Sequence, residues 1–320
     1  MVNGTELAFP PSQQFAYSNP SYFILGMIIE MVSGQSYDEF MAEHILLPLG
    51  LNNTFTLPQN AFNTGRVIDG HRRSFFRLQT ANAVFLGNVP SGYIYSTVQD
   101  MSLWLQIQMG AVEVSEQFER IIRKSHQPNL SNSAGHNRYS AAGWFINNET
   151  GQISHSGLTE GFSTYAAFRP ESNIATIVLT NLTLDANTVN IGNNVLNILD
   201  GSDILPYRLA LWPLLDRIFA PLTLLIVAGY VMLILTAIRM KRQIRDGQRE
   251  RLNITPKRLV YFVPPVAIAL LIILSTVIFP LPFDLLGIAP DSLFTVIALT
   301  CALPIFIFPV SLFSAISKKI

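Results

Sequence analysis

The pattern of apolar and polar positions divides the chain in two. From Ile218 to Ile238 it reads IFAPLTLLIVAGYVMLILTAI, 21 residues without a charge. Leu259–Phe279 and Ser292–Ile316 are further uncharged apolar runs. A hydrocarbon layer about 30 Å thick needs roughly 20 apolar residues in helix. The pattern therefore predicts spans at about 218–238, 259–279 and 292–316, with Pro264, Pro265, Pro304 and Pro309 as tolerated kinks. Upstream, residues 20–32 predict an apolar helix ending at Ser33-Gly34. Ser36 with Glu39 forms a capping box for a helix over roughly 37–46, stopped by Pro48-Leu49-Gly50. Residues 57–90 read as irregular. Ser96 or Thr97 caps an amphipathic helix that ends at Gly110, and another helix is expected over about 113–125. Then the period shortens. WFINN, QISHSG, FSTYAAFRP and NIATIVLTN read as strands separated by turns. The segments 161–168 and 173–180 read as a hairpin turning at Pro170-Glu171-Ser172-Asn173. A last helix over about 186–199 leads to the linker GSDILPYR. The expectation is an α+β domain over 1–200, helices followed by an antiparallel sheet, a linker over 201–213 and a membrane domain over 214–320.

Composition agrees with a membrane-associated chain. Of 320 residues 49% are hydrophobic and only 13% charged, against roughly 25% charged in soluble domains. Lys+Arg and Asp+Glu both total 21, which excludes nucleic-acid binding through bulk positive charge. A single cysteine excludes an intrachain disulfide and a Cys-based metal site. The charges that exist are unevenly placed. The loop 239–258 holds Arg239, Lys241, Arg242, Arg245, Arg249, Arg251, Lys257 and Arg258, whereas 280–291 holds no Lys or Arg. Lys318 and Lys319 close the chain. The positive-inside rule puts that loop and the C-terminus in the cytoplasm and residues 1 to about 213 outside, in a multi-pass membrane protein. No acidic, basic or histidine residue interrupts the apolar cores, so the spans predict an anchor or coupling module in the lipid bilayer, not an ion path. The opening MVNGTELAFPPSQQF lacks a basic stretch followed by an apolar one. Either the first span exports the residues before it, or a further segment precedes them.

Two tripeptides are candidates for chemistry: Tyr17-Ser18-Asn19 and His155-Ser156-Gly157. Alone, Tyr17 reads equally well as a turn residue packed on the next helix, and His155 as a strand residue with an ordinary hydrogen bond. Their surroundings add more. Tyr22, Leu25, Gly26, Ile28, Ile29, Glu30, Val32, Ser33, Gly34 and Tyr37 follow the first. Next come Pro48-Leu49-Gly50-Leu51 with Thr54, then Gly92, Tyr95-Ser96-Thr97 and Asp100, then Gly143-Trp144. Last are His155, Gly157, Gly161 and Phe162. In this order, over about residues 5–185, the chain resembles the serine β-lactamase and penicillin-binding-protein-like hydrolases, in their class C and esterase branch. The resemblance implies hydrolysis of an amide or ester through an acyl-enzyme, with a serine of an S-x-x-K motif as nucleophile. Tyr17 then matches the tyrosine that shuttles the nucleophile's proton. Asn19 matches the residue that bonds the lysine and the substrate amide. His155 stands where a lysine of K-T-G is common. Ser156, Gly157 and Leu158 would line the substrate, Gly157 by leaving the strand edge open and Leu158 by offering its N–H to the oxyanion. A β-lactam, a cell-wall peptide with D-amino acids, or an ester all fit such a site.

The departure is as informative. No serine here is followed three residues later by lysine, so the chain carries no matching nucleophile. A tyrosine with an ordinary pKa near 10 is a poor base at pH 7 without a neighbouring cation. His155, mostly neutral there, is a weak substitute. Two readings stay open. One is a membrane-anchored serine hydrolase represented without its nucleophile-bearing part, and inactive alone. The other is a catalytically dead binding or sensing domain on a membrane tether. His44, His71, His126 and His136 have no metal-ligand spacing, and no glycine loop for a phosphate is present, so neither metal nor cofactor is expected. Arg66, Arg72, Arg73 and Arg77 read as a solvated loop, or as a contact to anionic lipid or wall polymer. A domain lacking upstream strands should also leave an open sheet edge. Phe162, Tyr165, Ala167, Ile174, Thr176 and Val178 are the residues expected to be exposed there.

Overall fold

A computed structural model of the chain describes residues 9–10, 13–81, 89–130, 133–135, 137–183, 185–206, 211–252, 255–278 and 291–319. His136, part of the linker and the 280–290 connection fall outside these. The chain forms two compact units. One comprises residues 1–71 and 80–210, the other 72–79 and 211–320.

In the first unit, helix α1 (Asn19–Ser33) starts at Ser18, whose hydroxyl accepts the Ser21 N–H at 3.3 Å. Pro20 occupies the first turn, where its missing N–H costs nothing, and Gly34 closes the helix in the left-handed region. Helix α2 (Tyr37–Met41) carries the expected capping box, with the Ser36 N–H donating to the Glu39 carboxylate at 3.0 Å. Its continuation, Ala42–Leu46, winds as a π-helix. The stretch expected to be irregular is partly ordered. It holds helix α3 (Pro58–Asn63) and a hairpin of β1 (Gly70–Ser74) and β2 (Arg77–Ala81). This hairpin was illegible because its turn residues, Phe75 and Phe76, take the positive φ that Gly or Asn normally signals. Arg72, Arg73 and Arg77 also mask any apolar alternation, so they belong to a hairpin and not to a solvated loop.

Helix α4 (Val98–Gln108) is capped by Thr97, and α5 (Glu116–Ser125) by Ser115. The sheet follows in sequential antiparallel order: β3 (Arg138–Ser140), β4 (Phe145–Asn147), β5 (Ile153–Thr159), β6 (Phe162–Arg169) and β7 (Ile174–Thr180). Helix α6 (Asp185–Leu199) comes next. Alternation along β6 gives the sheet two buried faces. Ala166 and Phe168 pack with Trp144, Ile146, Ile153 and Leu105 of α4. Tyr165 and Ala167 pack with Leu196 of α6. Phe168, fully buried, meets Trp144 edge-on at 5.4 Å. Truncating such a phenylalanine costs about 3–5 kcal/mol.

The expected exposure of this hairpin does not occur. Phe162, on the face of Ala166 and Phe168, is half-buried against Gly70 of β1. Tyr165, Ala167 and Thr176 are buried, and Ile174 and Val178 half-buried, because α6 covers the other face. Gly192 lets it do so, since a Cβ there would lie 2.4 Å from the Tyr165 ring. Open apolar surface lies on α1. Leu25, Met27 and Ile28 are exposed there, and Met31 and Val32 are more than four-fifths exposed, at 82% and 83%.

Two of the sequence segments interlock through one carboxylate. Asp100, buried in the first turn of α4, accepts the Asn53 N–H at 2.7 Å and the Thr54 hydroxyl at 2.8 Å. The Thr54 and Ser96 hydroxyls also lie 2.8 Å apart. Pro48–Thr54 and Gly92–Asp100 are thus a structural clasp.

The second unit is helical. It holds α7 (Leu211–Arg245), the short strand β8 (Arg249–Arg251), α8 (Val263–Ile278), α9 (Asp291–Ile316) and β9 (Ser317–Lys319). Helices α7 and α9 run parallel. At their N-terminal ends the Ser292 hydroxyl donates to Asp216 at 2.7 Å, midway Tyr230 stacks on Phe306, and beyond their C-terminal ends β8 pairs with β9. Asp216, buried, also accepts the Phe75 and Phe76 N–H groups at 2.9 and 2.7 Å. Leu214–Arg245 and Ser292–Ile316 are long and apolar enough to cross a membrane, with only 17% and 6% of their most apolar windows buried. Helix α8, with 16 residues among those described, is shorter than that, and the Pro256–Phe262 turn before it is a 3-10 helix. Helices of spanning length therefore cover two of the expected runs.

Candidate active site

The end of the segment before α1 meets strand β5. The ring centroids of Tyr17 and His155 lie 6.2 Å apart. Tyr22, one turn into α1, is 6.4 Å from Tyr17. On the other side Phe145 stacks on His155 at 5.6 Å with an interplanar angle of 21°. Phe15 meets Phe145 edge-on, and the Arg138 guanidinium lies 5.0 Å over the Phe145 ring. Tyr22, Tyr17, His155 and Phe145 thus form one aromatic row. Asn19 opens α1 two residues from Tyr17, with an exposed side chain.

Local sequence explains this placement. Trp144 and Ile146 point into the core, and Phe145, at the last pairing of β4 with β5, lays its ring on His155 just beyond Ser154. In the register of β5 with β6, His155 faces Ala166 and Ser156 faces Tyr165. The Ser156 side chain therefore projects from the opposite face to His155, and only its backbone remains near the site. Ser18 is engaged as the α1 cap, its hydroxyl also accepting from that of Ser21 at 2.9 Å.

The backbone of β5 supplies an open edge. Strand β4 pairs with β5 only through Phe145–Ser154 and Ile146–Ile153, and the Asn147 N–H donates to the Gln152 carbonyl. Antiparallel strands alternate in bonding direction. The N–H and C=O groups of Ser156 and Leu158 consequently point away from β6. Among the described residues no strand pairs with that edge beyond Ser154. Gly157 lies between them, where a Cβ would come 2.3 Å from the Thr164 hydroxyl.

Electrostatics leave both candidate side chains neutral at pH 7. Burial pushes the Tyr17 hydroxyl above its ordinary value, with a smaller push from Tyr22. Burial holds His155 below the ordinary histidine value, and the positive charge of Arg138 acts in the same direction, partly offset by a hydrogen bond with the Ser156 backbone. The Tyr17 hydroxyl, held in its protonated form, is a poor base at neutral pH unless a further cation joins it.

Sequence reasoning passed over Phe145, Arg138 and Phe15, and named Tyr22 only as part of the motif that follows Tyr17. The alternation Trp144-Phe145-Ile146 was a usable signal for the first. Strand β3, which carries Arg138, is only three residues long and gave none. Other motif residues turn out to be structural. The Glu30 carboxylate accepts the Tyr37 N–H at 3.0 Å and so joins α1 to α2. Gly161, with φ +90°, approaches Gly70 so closely that a Cβ would lie 2.8 Å from its Cα.

The Beta-lactamase family model matches residues 1–195. Protein flp of Staphylococcus aureus (strain MW2) is 31% identical over 185 residues, which are 57% of this chain and 36% of flp. The chain thus spans about a third of that relative's length. The octameric penicillin-binding protein homologue from Pyrococcus abyssi matches with a TM-score of 0.53 at 25% identity, over 61% of this chain and 45% of its own. A class C beta-lactamase matches with a TM-score of 0.51 at 18% identity, over 59% of this chain and 58% of its own, a likeness of fold.

Proposed function

The chain belongs to the β-lactamase family, and from that premise we propose that it carries part of a serine-hydrolase site on a membrane anchor. In this reading Tyr17, Asn19 and His155, with the open Ser156–Leu158 edge, are the substrate-side half of an acyl-transfer centre. The nucleophile comes from a segment that this chain does not supply. The observation that carries the reading is the approach of Tyr17 to His155 beside an unpaired strand edge. The substrate lies as an added strand along β5. Gly157 gives it room, and the Leu158 N–H faces the oxyanion. Tyr17 passes the nucleophile's proton only when a cation, such as a lysine of S-x-x-K, lowers its pKa. The polypeptide alone is then inactive. Losing the nucleophile of a Ser-His-Asp hydrolase costs on the order of 10⁶ in kcat. The exposed apolar face of α1 is where the missing part of the domain packs.

The three-span topology has its own support. Helices α7 and α9 run parallel, so the chain must return between them, and α8 with its preceding 3-10 turn is the segment available to do so. The basic 239–258 loop and the C-terminus then share the cytoplasmic side, and 1–200 lies outside. A β-lactam, a D-amino-acid peptide or an ester remains the substrate class. The alternative, a dead binding domain, uses the same cleft without acylation. Co-expression with an S-x-x-K-bearing segment of an flp-like relative tests the assignment. The segment's serine should become labelled by a fluorescent penicillin or a fluorophosphonate, with labelling lost in Tyr17→Phe and His155→Ala. Equal labelling in both variants would remove these residues from the site. Absent labelling, with the penicillin bound reversibly, would favour the binding domain.

A further inference from the structure

The C-terminal end of α7, on the cytoplasmic side in the proposed topology, carries a groove. It has a volume of about 390 Å³ and is lined by Leu235, Ile238, Arg239, Arg242, Gln243, Asp246 and Gln248. Leu235, Ile238, Arg239 and Arg242 follow the i, i+3, i+4, i+7 spacing, so they form one stripe along the helix. The stripe turns from apolar to cationic within about two helical turns, where the uncharged run of the span ends. All four side chains are exposed.

The cations of this end are not equivalent. Arg245 pairs with Asp246 at 2.9 Å, Arg249 bonds the Ser317 hydroxyl, and Arg258 bonds the Ala315 carbonyl. Arg239 and Arg242 make no hydrogen bond or ion pair among the described residues. Two guanidinium groups one turn apart, free of protein partners, match the oxygens of a phosphate diester. The apolar wall above them matches the acyl chains attached to it. The one acid in the lining, Asp246, is neutralised by Arg245.

We propose that this groove is a binding site for the headgroup of an anionic phospholipid, held by Arg239 and Arg242, with its acyl chains along Leu235 and Ile238. The proposal rests on the reading of α7 as a membrane span. A lipid is favoured over a free phosphate because half of the lining stripe is apolar and would stay unsatisfied by a soluble anion.

The test uses the full chain, purified in detergent and examined by native mass spectrometry with added phosphatidylglycerol, phosphatidylcholine or soluble glycerol phosphate. Phosphatidylglycerol should be retained preferentially. At about 1 kcal/mol for each basic residue near an anionic surface, the double variant R239Q/R242Q should lose retention about 30-fold, a figure that follows from tenfold per 1.4 kcal/mol. R245Q, which removes a guanidinium already paired, should change it by less than about threefold. Equal retention of phosphatidylcholine, equal loss in R245Q, or equal binding of glycerol phosphate would overturn the proposal. Carbonate extraction of cell membranes separates the two levels. A chain washed out of the pellet refutes the span and the site together, whereas a retained chain without lipid preference refutes the site alone.

Discussion

Replacing Asp100 by alanine should unfasten the first unit. Its carboxylate takes the Asn53 N–H at 2.7 Å and the Thr54 hydroxyl at 2.8 Å, and Thr54 is itself buried. Leaving a buried donor without an acceptor costs about 1–3 kcal/mol per group. The Thr54 hydroxyl has a second partner 2.8 Å away in Ser96, so its share falls at the low end. The expected loss for Asp100→Ala is therefore about 2–4 kcal/mol from these two groups. For a unit of this size that corresponds to a fall in Tm of about 5–15 °C. Asp100→Asn keeps one acceptor and loses the charge, so it should fall between wild type and Asp100→Ala. Arg123→Ala breaks an exposed pair with Glu119 and should cost no more than about 0.5 kcal/mol. The assay is thermal unfolding of the full chain in detergent, followed by near-UV circular dichroism, because the far-UV signal is dominated by the long helices. A shift below about 2 °C for Asp100→Ala, at the precision of such comparisons, would mean that the clasp does not hold these segments together.

Three further outcomes follow from particular contacts. Burial lowers the pKa of His155 and of His126, the latter beside the Gln108 amide oxygen at 2.9 Å. The unfolded chain then binds more protons than the folded one as pH falls through the ordinary histidine value, so stability is full above about 6.5 and declines below it. His155→Gln should flatten that decline in a pH series of unfolding midpoints, and an unchanged slope in His155→Gln and His126→Gln would refute it. Gly157→Ala should destabilise by about 1–3 kcal/mol through overpacking against Thr164, and Thr164→Ala in the same chain should restore most of the loss in a melting experiment. Asp216→Ala leaves the Phe75 and Phe76 N–H groups and the Ser292 hydroxyl without their acceptor. It should raise the rate of limited proteolysis within 72–79, and an unaltered cleavage pattern would show that the turn is held by other means.

How much of this was legible depended on whether the signal was local. The caps at Ser36 and Thr97 and the stop at Gly34 act within one helical turn, and each could be read from neighbouring residues, whereas the cap at Ser18 was not read. The strands β4 to β7 showed their period of two. The β1–β2 hairpin did not, because Phe75 and Phe76 adopt a turn conformation that their side chains do not advertise. The cover that α6 gives to Tyr165 and Ala167 is a tertiary fact, made possible by Gly192, and no local pattern announces it. At the site the pairing of Tyr17 with His155 could be expected only from a family resemblance. Residues 138 positions apart in sequence have no other mark of neighbourhood. Phe145 and Arg138 entered through packing alone.

The central claim is that this polypeptide holds the tyrosine and histidine of an acyl-transfer site without its nucleophile. Incubating the purified full chain with a fluorescent penicillin and with a fluorophosphonate, then mapping any adduct by peptide mass spectrometry, tests it most directly. The account predicts no covalent label on any serine, because Ser18 is held as a helix cap and the Ser156 side chain projects from the opposite face to His155. Stoichiometric labelling of a serine, above all Ser18, would contradict it.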